Sequence, residues 1–406
     1  MKTVTLPPAK TGRKARELPA RRRAAACRQA QMGFIGAGGF ITAHHLHTAA
    51  HSRRMSMRAI CDLDQKRLAS HQKEFSPGYI TADYRQVLDD PAVDIVVIGT
   101  KQDLHAKFII EALDAGKWVF CEKPIAETAA ETEAVLAAER RARGRLAVGF
   151  NRRFAPAYAR VKRLLATQRP PIFINYRLMY PNPQKTSGYY AGRERIVYEG
   201  THILDLVCWL LDAAPTTVYM TGDRYRNNIC VLEFPRGSRV SFLCGSMGSY
   251  LLWKEYLEVF TAYTAITVSD FVDMRVRGFP GEFDEVFPAH LGEQGRELRA
   301  HGFDFYEACK SQEALQTIGD MPFEAVRRPV REFGPRPFRK QTDYRSSFVP
   351  DKGWVQSLEH FATCFLKDEM PGNADGRAGA RANQIAFRAL ESLEARQALA
   401  FAGRAT

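Results

Sequence analysis

The chain has 406 residues, of which 45% are apolar and 25% are charged, and this composition is typical of a globular protein large enough for two domains. No apolar run approaches the ~20 residues that a membrane-spanning helix needs. The eight cysteines are scattered and form no C-x-x-C pair, which argues against a zinc site or a disulfide framework and predicts a reducing, cytoplasmic setting.

The net charge of +13 is concentrated at the amino terminus. Residues 1–30 hold nine lysines and arginines and one acidic residue, Glu17, so this segment carries +8 of the total. Such a segment suggests nucleic-acid binding or a secretion signal. It has no aromatic residue to stack on bases and no apolar segment after its arginines, so both are disfavoured. We interpret residues 1–30 as a basic, disordered extension.

A short apolar strand over residues 32–35 leads into a glycine turn and a helix to about residue 51. Gly36 and Gly38 match the first two glycines of G-x-G-x-x-G, which give the tight turn and the close approach of backbone to a pyrophosphate. The third position is Ile41, so the fingerprint is incomplete. The turn predicts these dinucleotide contacts: Gly36, Gly38, Gly39, Phe40 and Ile41.

Three histidines on the following helix, His44, His47 and His51, share one face. No carboxylate or cysteine joins them at a metal-ligand spacing in the sequence. We therefore expect a partly solvated helix face and no metal.

The second strand, residues 57–62, ends in Asp62, 26 positions after Gly36. A carboxylate about 20 residues beyond the glycine turn binds the ribose 2′-hydroxyl of NAD and repels the 2′-phosphate of NADP. No arginine follows immediately, since Leu63 and Asp64 come next. The alternative is an ordinary turn aspartate. With the glycine turn upstream, Asp62 predicts NAD rather than NADP.

A continuous apolar run over residues 94–100 is typical of a central parallel strand, and a helix over 103–115 follows. A short strand then ends at Glu122-Lys123-Pro124. Because ligands bind beyond the carboxyl ends of such strands, Lys123 is expected to face a cofactor or substrate. On its own the tripeptide would indicate a surface lysine before a helix. The alternation of strands and helices predicts a doubly wound parallel sheet, a Rossmann domain, over residues 31–150.

These residues resemble the Gfo/Idh/MocA oxidoreductases, the family of glucose–fructose oxidoreductase and inositol dehydrogenase. Three motifs carry the resemblance: Thr100 with His105, Gly116 and Glu122-Lys123-Pro124; G-F-N-R-R-F-x-P at residues 149–156; and Glu199-Gly200-Thr201-His202. The resemblance implies NAD as cofactor. It also implies further cofactor contacts at these residues: Thr100, His105, Glu122, Lys123 and Arg152.

The second domain is expected over residues 151–406. Alternating apolar residues predict strands near 172–179, 217–221, 229–234, 239–243, 255–260 and 264–268. The resemblance likewise implies an α+β domain with a large open, mainly antiparallel sheet that commonly forms a homo-oligomer interface. Residues 283–350 fit poorly and are interpreted as an insertion, a loop by default, and a helix is predicted over 378–398.

His202 is the candidate general base, because an imidazole titrates near neutral pH. Lys123 would stabilise the substrate oxygen as it gains charge. The family usually has an aspartate four residues before this histidine, but here that position is Tyr198, so Glu199 or Asp205 would orient the ring. The alternative is that His202 is a core histidine on an amphipathic helix. The predicted substrate contacts are these: Lys123, Arg153, Tyr176, Tyr189, Tyr198 and His202.

Of the adjacent Arg152 and Arg153, one is expected to face the crevice and the other solvent. Basic residues in the loop over 181–197 favour an anionic substrate. The function predicted is an NAD-dependent oxidoreductase that transfers a hydride to or from a CH–OH group of a sugar, cyclitol or nucleotide-linked sugar. Two alternatives remain open: a non-catalytic dinucleotide-binding regulator, and a redox-neutral enzyme that uses bound NAD transiently.

Overall fold

A computed structural model of the chain describes residues 28–179, 193–248, 252–287 and 350–402. The predictions about the basic extension up to residue 27, about Tyr189 and about most of the 283–350 insertion lie outside these residues.

The first sheet has six parallel strands in the order β3-β2-β1-β4-β5-β6. Its strands are β1 (Ala30–Ile35), β2 (Met55–Cys61), β3 (Tyr79–Thr81), β4 (Ile95–Ile98), β5 (Trp118–Cys121) and β6 (Leu146–Val148). Helices cover both faces, so the central strands are wholly buried and read as continuous apolar runs. The predicted doubly wound sheet is confirmed. Its strand order reverses between β1 and β4, and that switch point creates the ligand crevice.

The helices of the first sheet follow from local signals. They are Gly39–Ile41, Thr42–Leu46 (a π-helix) and His47–His51 in succession, then Gln65–Phe75, Tyr84–Asp89, His105–Asp114 and Ala129–Arg141. Thr128 and Glu131 form the reciprocal capping box that begins the last of these. Asp64 caps Gln65–Phe75 by accepting the backbone N–H groups of Lys66 and Arg67.

The second sheet has nine strands in the described part of the chain, in the order β14-β13-β12-β11-β7-β10-β9-β8-β15. They are β7 (Phe173–Met179), β8 (Thr217–Gly222), β9 (Asn228–Glu233), β10 (Arg239–Gly245), β11 (Glu255–Phe260), β12 (Ala265–Ser269), β13 (Asp273–Arg277), β14 (Glu285–Val286) and β15 (Leu399–Ala400). All pairs are antiparallel except β7 with β10. The predicted mainly antiparallel sheet is confirmed, and β13, β14 and β15 were not predicted.

The helices Pro156–Leu165, Thr201–Leu211 and Gly376–Ala395 belong to the second part of the chain. Gly376–Ala395, close to the predicted 378–398, packs along β8 and against Thr201–Leu211. The helix Trp354–Lys367 was not predicted and returns to the first sheet, where Phe361 contacts Trp118 and Phe120. Among the described helices none is long and apolar enough to cross a membrane.

The predicted solvated histidine face is wrong for two of its three members. His44 and His47 are buried, and only His51 is exposed. His44 lies 3.8 Å from the ring of Trp354, measured between ring centroids, because Trp354–Lys367 covers this side of the helix. The sequence pattern of one helix could not show that a second helix, some 300 residues away, would cover it.

Candidate active site

The glycine turn after β1 has a shape that suits a dinucleotide. Gly36 has φ of +83°, and a Cβ there would lie 2.8 Å from the Gly99 carbonyl oxygen, so only glycine fits. At Gly38 and Gly39 a Cβ would meet nothing within 4 Å. The backbone at this helix start is therefore open on its Cβ side, which leaves room for a pyrophosphate to approach. These residues fit the phosphates of NAD.

Ile41 does not contact this cradle through its side chain. It is buried, and its terminal methyl lies 2.1 Å from where a Cβ on Gly99 would be. The close packing of helix on strand that the third glycine of the motif usually permits is therefore provided by Gly99 at the end of β4. The predicted cofactor role of the Ile41 side chain is replaced by this packing role.

Asp62 joins the end of β2 to the glycine turn. Its Oδ2 accepts the N–H of Ala37 at 2.8 Å, and its Oδ1 accepts the N–H of Asp64 at 2.9 Å. Nη1 of Arg67 donates to both oxygens, at 2.9 and 3.0 Å. Burial alone would raise the pKa of Asp62, but the two backbone N–H groups and Arg67 outweigh it and lower the pKa. Asp62 is thus a charged acceptor beside the glycine turn, as its predicted ribose contact requires.

Thr100 and His105 lie beyond β4. Thr100 is half-buried at the crevice. His105 is fully buried, with Nδ1 2.7 Å from the Pro124 carbonyl and Nε2 3.3 Å from the Thr100 carbonyl. Burial lowers the pKa of His105, so the ring is neutral and donates one hydrogen bond. His105 was predicted to contact the cofactor, but its position makes it the connection between the loops after β4 and β5.

Glu122 forms a buried pair with His45, at 2.7 Å between Oε1 and Nε2. Its carboxylate also fills the space beside Gly149, where a Cβ would approach it to 2.7 Å. Glu122 was predicted to contact the cofactor, whereas the structure shows it joining three segments: the end of β5, the glycine-turn helix and the start of the G-F-N-R-R-F motif. No local pattern singled out His45, because its partner Glu122 is 77 residues away in the chain.

Lys123 lies close enough to His202 for its positive charge to help lower the pKa of that imidazole. The Lys123 ammonium donates to the backbone carbonyl of Tyr198 at 2.7 Å. His202 is 8% exposed, and its Nδ1 has no hydrogen-bond partner among the described residues. Burial first, and then the positive charges of Arg152, Lys123, Lys254 and Lys352, hold the pKa of His202 well below the ordinary histidine value. The imidazole is therefore neutral and able to accept a proton.

Tyr198 lies four residues before His202, where the resemblance implies an aspartate, and its side chain contacts Glu127 and Arg193. The hydroxyl donates to Glu127, and the guanidinium of Arg193 lies 5.1 Å from the ring centroid. Tyr198 is 3% exposed and its backbone carbonyl accepts a hydrogen bond from Lys123, so its predicted substrate contact stays a prediction. Glu199 is buried. Burial alone would lower the pKa of Arg152, but the charge of Glu255, with smaller contributions from Tyr176 and Glu199, raises it.

Below the crevice lies a buried charge cluster, which we define as Arg152, Glu255, Lys352 and Tyr176. Arg152 donates to both Glu255 oxygens, at 2.8 and 2.9 Å, Lys352 donates at 3.0 Å and the Tyr176 hydroxyl at 2.6 Å. Tyr176 is 1% exposed and its hydroxyl is bonded to Glu255, so this geometry does not support its predicted substrate contact. Arg152 was predicted to contact the cofactor, whereas its guanidinium donates to both carboxylate oxygens of Glu255.

Arg153 and Asp205 form a second buried pair. Nε and Nη2 of Arg153 donate to the two carboxylate oxygens of Asp205. Asp205 was predicted to orient His202, and Arg153 to contact substrate. Each instead neutralises the other, since a buried charge needs a partner. Neither Arg152 nor Arg153 lies on a solvated face, so that prediction is wrong.

A cavity of about 690 Å³ opens elsewhere, beside the start of β2. His47, Glu74 and Met55 are among its lining residues. Met55 begins β2, so the cavity lies at the amino end of that strand, opposite the edge that carries Asp62 and Lys123. It is separate from the candidate site.

Residues 30–150 match the family model of Gfo/Idh/MocA, an oxidoreductase family with an NAD-binding Rossmann fold. The chain is 32% identical over 197 residues to an uncharacterized oxidoreductase of Bacillus subtilis, YrbE, covering 48% of this chain and 58% of that one. It is 33% identical over 187 residues to an inositol 2-dehydrogenase of Acidothermus cellulolyticus, covering 46% and 54%. It thus spans little more than half the length of these curated relatives.

A crystal structure of myo-inositol dehydrogenase from Lactobacillus casei, in complex with NAD(H) and myo-inositol, has the same fold. Its TM-score is 0.67 at 17% identity, over 93% of this chain and 98% of that one. The domain over residues 30–150 thus matches the NAD-binding domain of the Gfo/Idh/MocA oxidoreductases, as the motifs predicted.

Proposed function

We propose that this protein is an NAD-dependent dehydrogenase that acts on a CH–OH group of inositol or a related polyhydroxylated ring. The observation that carries the proposal is the pairing of a lysine ammonium, Lys123, with a buried neutral imidazole, His202, at the crevice beside the glycine turn. Relatives named inositol 2-dehydrogenase support the substrate class. The aligned region covers 54% of that relative.

The chain's own residues divide the chemistry between them. Gly36 and Gly38 would hold the pyrophosphate of the dinucleotide and Asp62 its adenosine ribose, and the bound cofactor would supply the hydride acceptor. His202 takes the hydroxyl proton, because its neutral ring is a base with an unsatisfied nitrogen. Lys123 donates to the same oxygen as negative charge develops, and the low-dielectric crevice strengthens that hydrogen bond.

The test follows nicotinamide absorbance with NAD and three groups of substrates: myo-inositol and scyllo-inositol, neutral hexoses, and the corresponding uronates. We expect turnover with at least one cyclitol or sugar. Faster turnover with uronates would support the anionic substrate that the basic loop residues favour. Binding of NADH without turnover on any of them would contradict the proposal.

A second candidate is a dinucleotide-binding regulator. Tyr198 favours this candidate, because it occupies the position at which the resemblance implies an aspartate. Its hydroxyl donates to Glu127. A regulator would bind NADH and show no change in nicotinamide absorbance with any substrate. A redox-neutral enzyme would consume substrate, as followed by chromatography, with no net change in absorbance.

The pH dependence of oxidation tests the role of His202. An unshifted histidine would lose activity as pH falls through 6.5, where the ring takes up a proton. Because the folded-state pKa of His202 is well below that value, we expect kcat/KM to stay level as pH falls from 7.5 through 6.5. A decline with its midpoint near pH 6.5 would contradict the assigned environment of this base.

We also propose that the domain over residues 151–406 forms a homo-oligomer through the open face of the second sheet. Phe173 pairs in register with Phe260, and Ile229 pairs with Leu243, and all four are more than a third exposed. Exposed apolar groups of this kind mark interaction surfaces. Sedimentation equilibrium of the full chain is expected to give a multiple of the 45.8 kDa chain mass, and a monomer would contradict this.

A further inference from the structure

The cavity beside the start of β2 has a volume of about 690 Å³, which is within the range of small-molecule sites. Its walls come from the end of the helix His47–His51, from the start of β2 and from the end of the helix Gln65–Phe75. It lies at the amino end of β2, whereas Asp62 follows the carboxyl end of that strand. The cavity is therefore separate from the dinucleotide crevice.

His47 gives this cavity an unsatisfied polar group. It is 6% exposed, it lines the cavity, and neither nitrogen of its ring has a hydrogen-bond partner among the described residues. Whichever nitrogen carries the proton in the neutral ring, the other is a buried acceptor without a donor. Burying such an acceptor costs free energy unless a bound molecule donates to it.

His51 adds a second acceptor to the lining, one turn beyond His47. Its Nδ1 lies 2.7 Å from the His47 carbonyl oxygen. Because a carbonyl only accepts, Nδ1 carries the proton, and Nε2 of the neutral ring is left as an acceptor. The two imidazoles therefore call for a ligand that donates hydrogen bonds.

The surroundings of the cavity favour a positive charge. Two helices end at it, at His51 and at Phe75, and the carboxyl end of a helix carries a partial negative charge. Glu74 adds a full negative charge, with Oε1 3.4 Å from Nε2 of His47. In the described part of the chain, no lysine or arginine lines the cavity. No group of three or more histidine, cysteine or acidic side chains among the described residues could hold a metal ion, which indicates an organic cation.

We propose that this cavity binds the primary ammonium group of a small organic amine. A primary ammonium carries donors and no acceptor, so it matches a lining of imidazole acceptors and a carboxylate. Glu74 is the counterion, and Phe75 supplies apolar surface for the methylene groups next to the charge. The inference is independent of the proposed reaction, because none of these residues belongs to the crevice that carries Asp62 and Lys123.

The test follows the histidine ring signals of the full chain by NMR at about pH 8, where imidazoles are neutral and alkylammonium groups are charged. The probes share one carbon skeleton: butylamine, butanol and butyrate. Butylamine is expected to shift the His47 and His51 signals saturably, and the signal of His47 is identified by its loss in His47→Gln. Butanol and butyrate are expected to bind at least about 10-fold more weakly. Tetramethylammonium, which has the charge without N–H donors, is expected to do the same.

Glu74→Gln tests the counterion at an exposed position, where the substitution leaves the fold intact. It is expected to weaken butylamine binding by about 10-fold, since a charge-assisted hydrogen bond is lost. The matched control is Glu133→Gln, which removes the same charge from an exposed position on the helix Ala129–Arg141 and is expected to leave binding unchanged.

Equal losses in Glu74→Gln and Glu133→Gln would overturn the inference, because the effect would then be one of general charge. So would butanol or tetramethylammonium binding as tightly as butylamine, or the absence of any shift with butylamine in the native chain. Saturation of the same signals by Zn²⁺ would also overturn it, since the cavity would then be a metal site. Turnover of NAD does not enter this test, so failure of the proposed reaction leaves its outcome unchanged.

Discussion

Replacing Lys123 with methionine is expected to lower kcat/KM for NAD-dependent oxidation by about 10³-fold. The ammonium is the hydrogen-bond donor beside His202, and methionine keeps the length of the side chain while removing that donor. Loss of one preorganised donor to a developing negative oxygen costs about 10²–10³-fold in rate. The measurement is the initial rate of nicotinamide absorbance change over a range of substrate concentrations.

Two controls separate chemistry from folding and binding. Lys107→Met removes an exposed lysine on the helix His105–Asp114, whose ammonium lies over the ring of Tyr84. This variant is expected to keep the native rate. NADH affinity of Lys123→Met, measured by fluorescence, is expected to change much less than its rate. A Lys123→Met protein with native kcat/KM would remove Lys123 from the mechanism.

Replacing Glu255 with glutamine is expected to lower the free energy of unfolding by about 3–5 kcal/mol. Glu255 is fully buried and pairs with Arg152 and Lys352, so the substitution removes the carboxylate that both cations contact and leaves Lys352 with Asp270 at 4.0 Å. Denaturation by urea, followed through the tryptophan signal, measures the change. Adding Lys352→Met to Glu255→Gln is expected to recover part of the loss, because one unpaired cation is then removed.

Glu258→Gln is the matched control for this result. Glu258 lies on the same strand, β11, but half-buried on the open face of the sheet, and its replacement is expected to change stability by no more than about 0.5 kcal/mol. Equal effects of the two substitutions would contradict the role assigned to the buried charge cluster.

The same residue gives stability a pH dependence of known sign. Burial alone would raise the pKa of Glu255, but the charges of Arg152 and Lys352 outweigh it and hold the pKa far below the ordinary glutamate value. Its stabilisation is therefore complete above that ordinary value and is lost progressively as pH falls below it. Glu255→Gln is expected to flatten the acid side of the stability curve.

The order of elements was predictable because its signals are local. Buried parallel strands are continuous apolar runs, as in β4 and β5, and the strands of the second sheet alternate with a period of two. The glycine turn, the capping box at Thr128 and the Glu-Lys-Pro at the end of β5 each depend on a few adjacent residues. The helix Trp354–Lys367 was missed, because it follows the segment where the family pattern is interrupted.

Residue types and their spacing thus determined by themselves the parallel sheet, the dinucleotide turn and the edge that carries Lys123. Only the tertiary structure decided which charged residues face the crevice and which neutralise one another. Arg152 and Glu255 are 103 residues apart, and His45 and Glu122 are 77 apart. A buried charge must find its partner in three dimensions, and a local pattern cannot identify that partner because the energy comes from burial that only the packed fold creates.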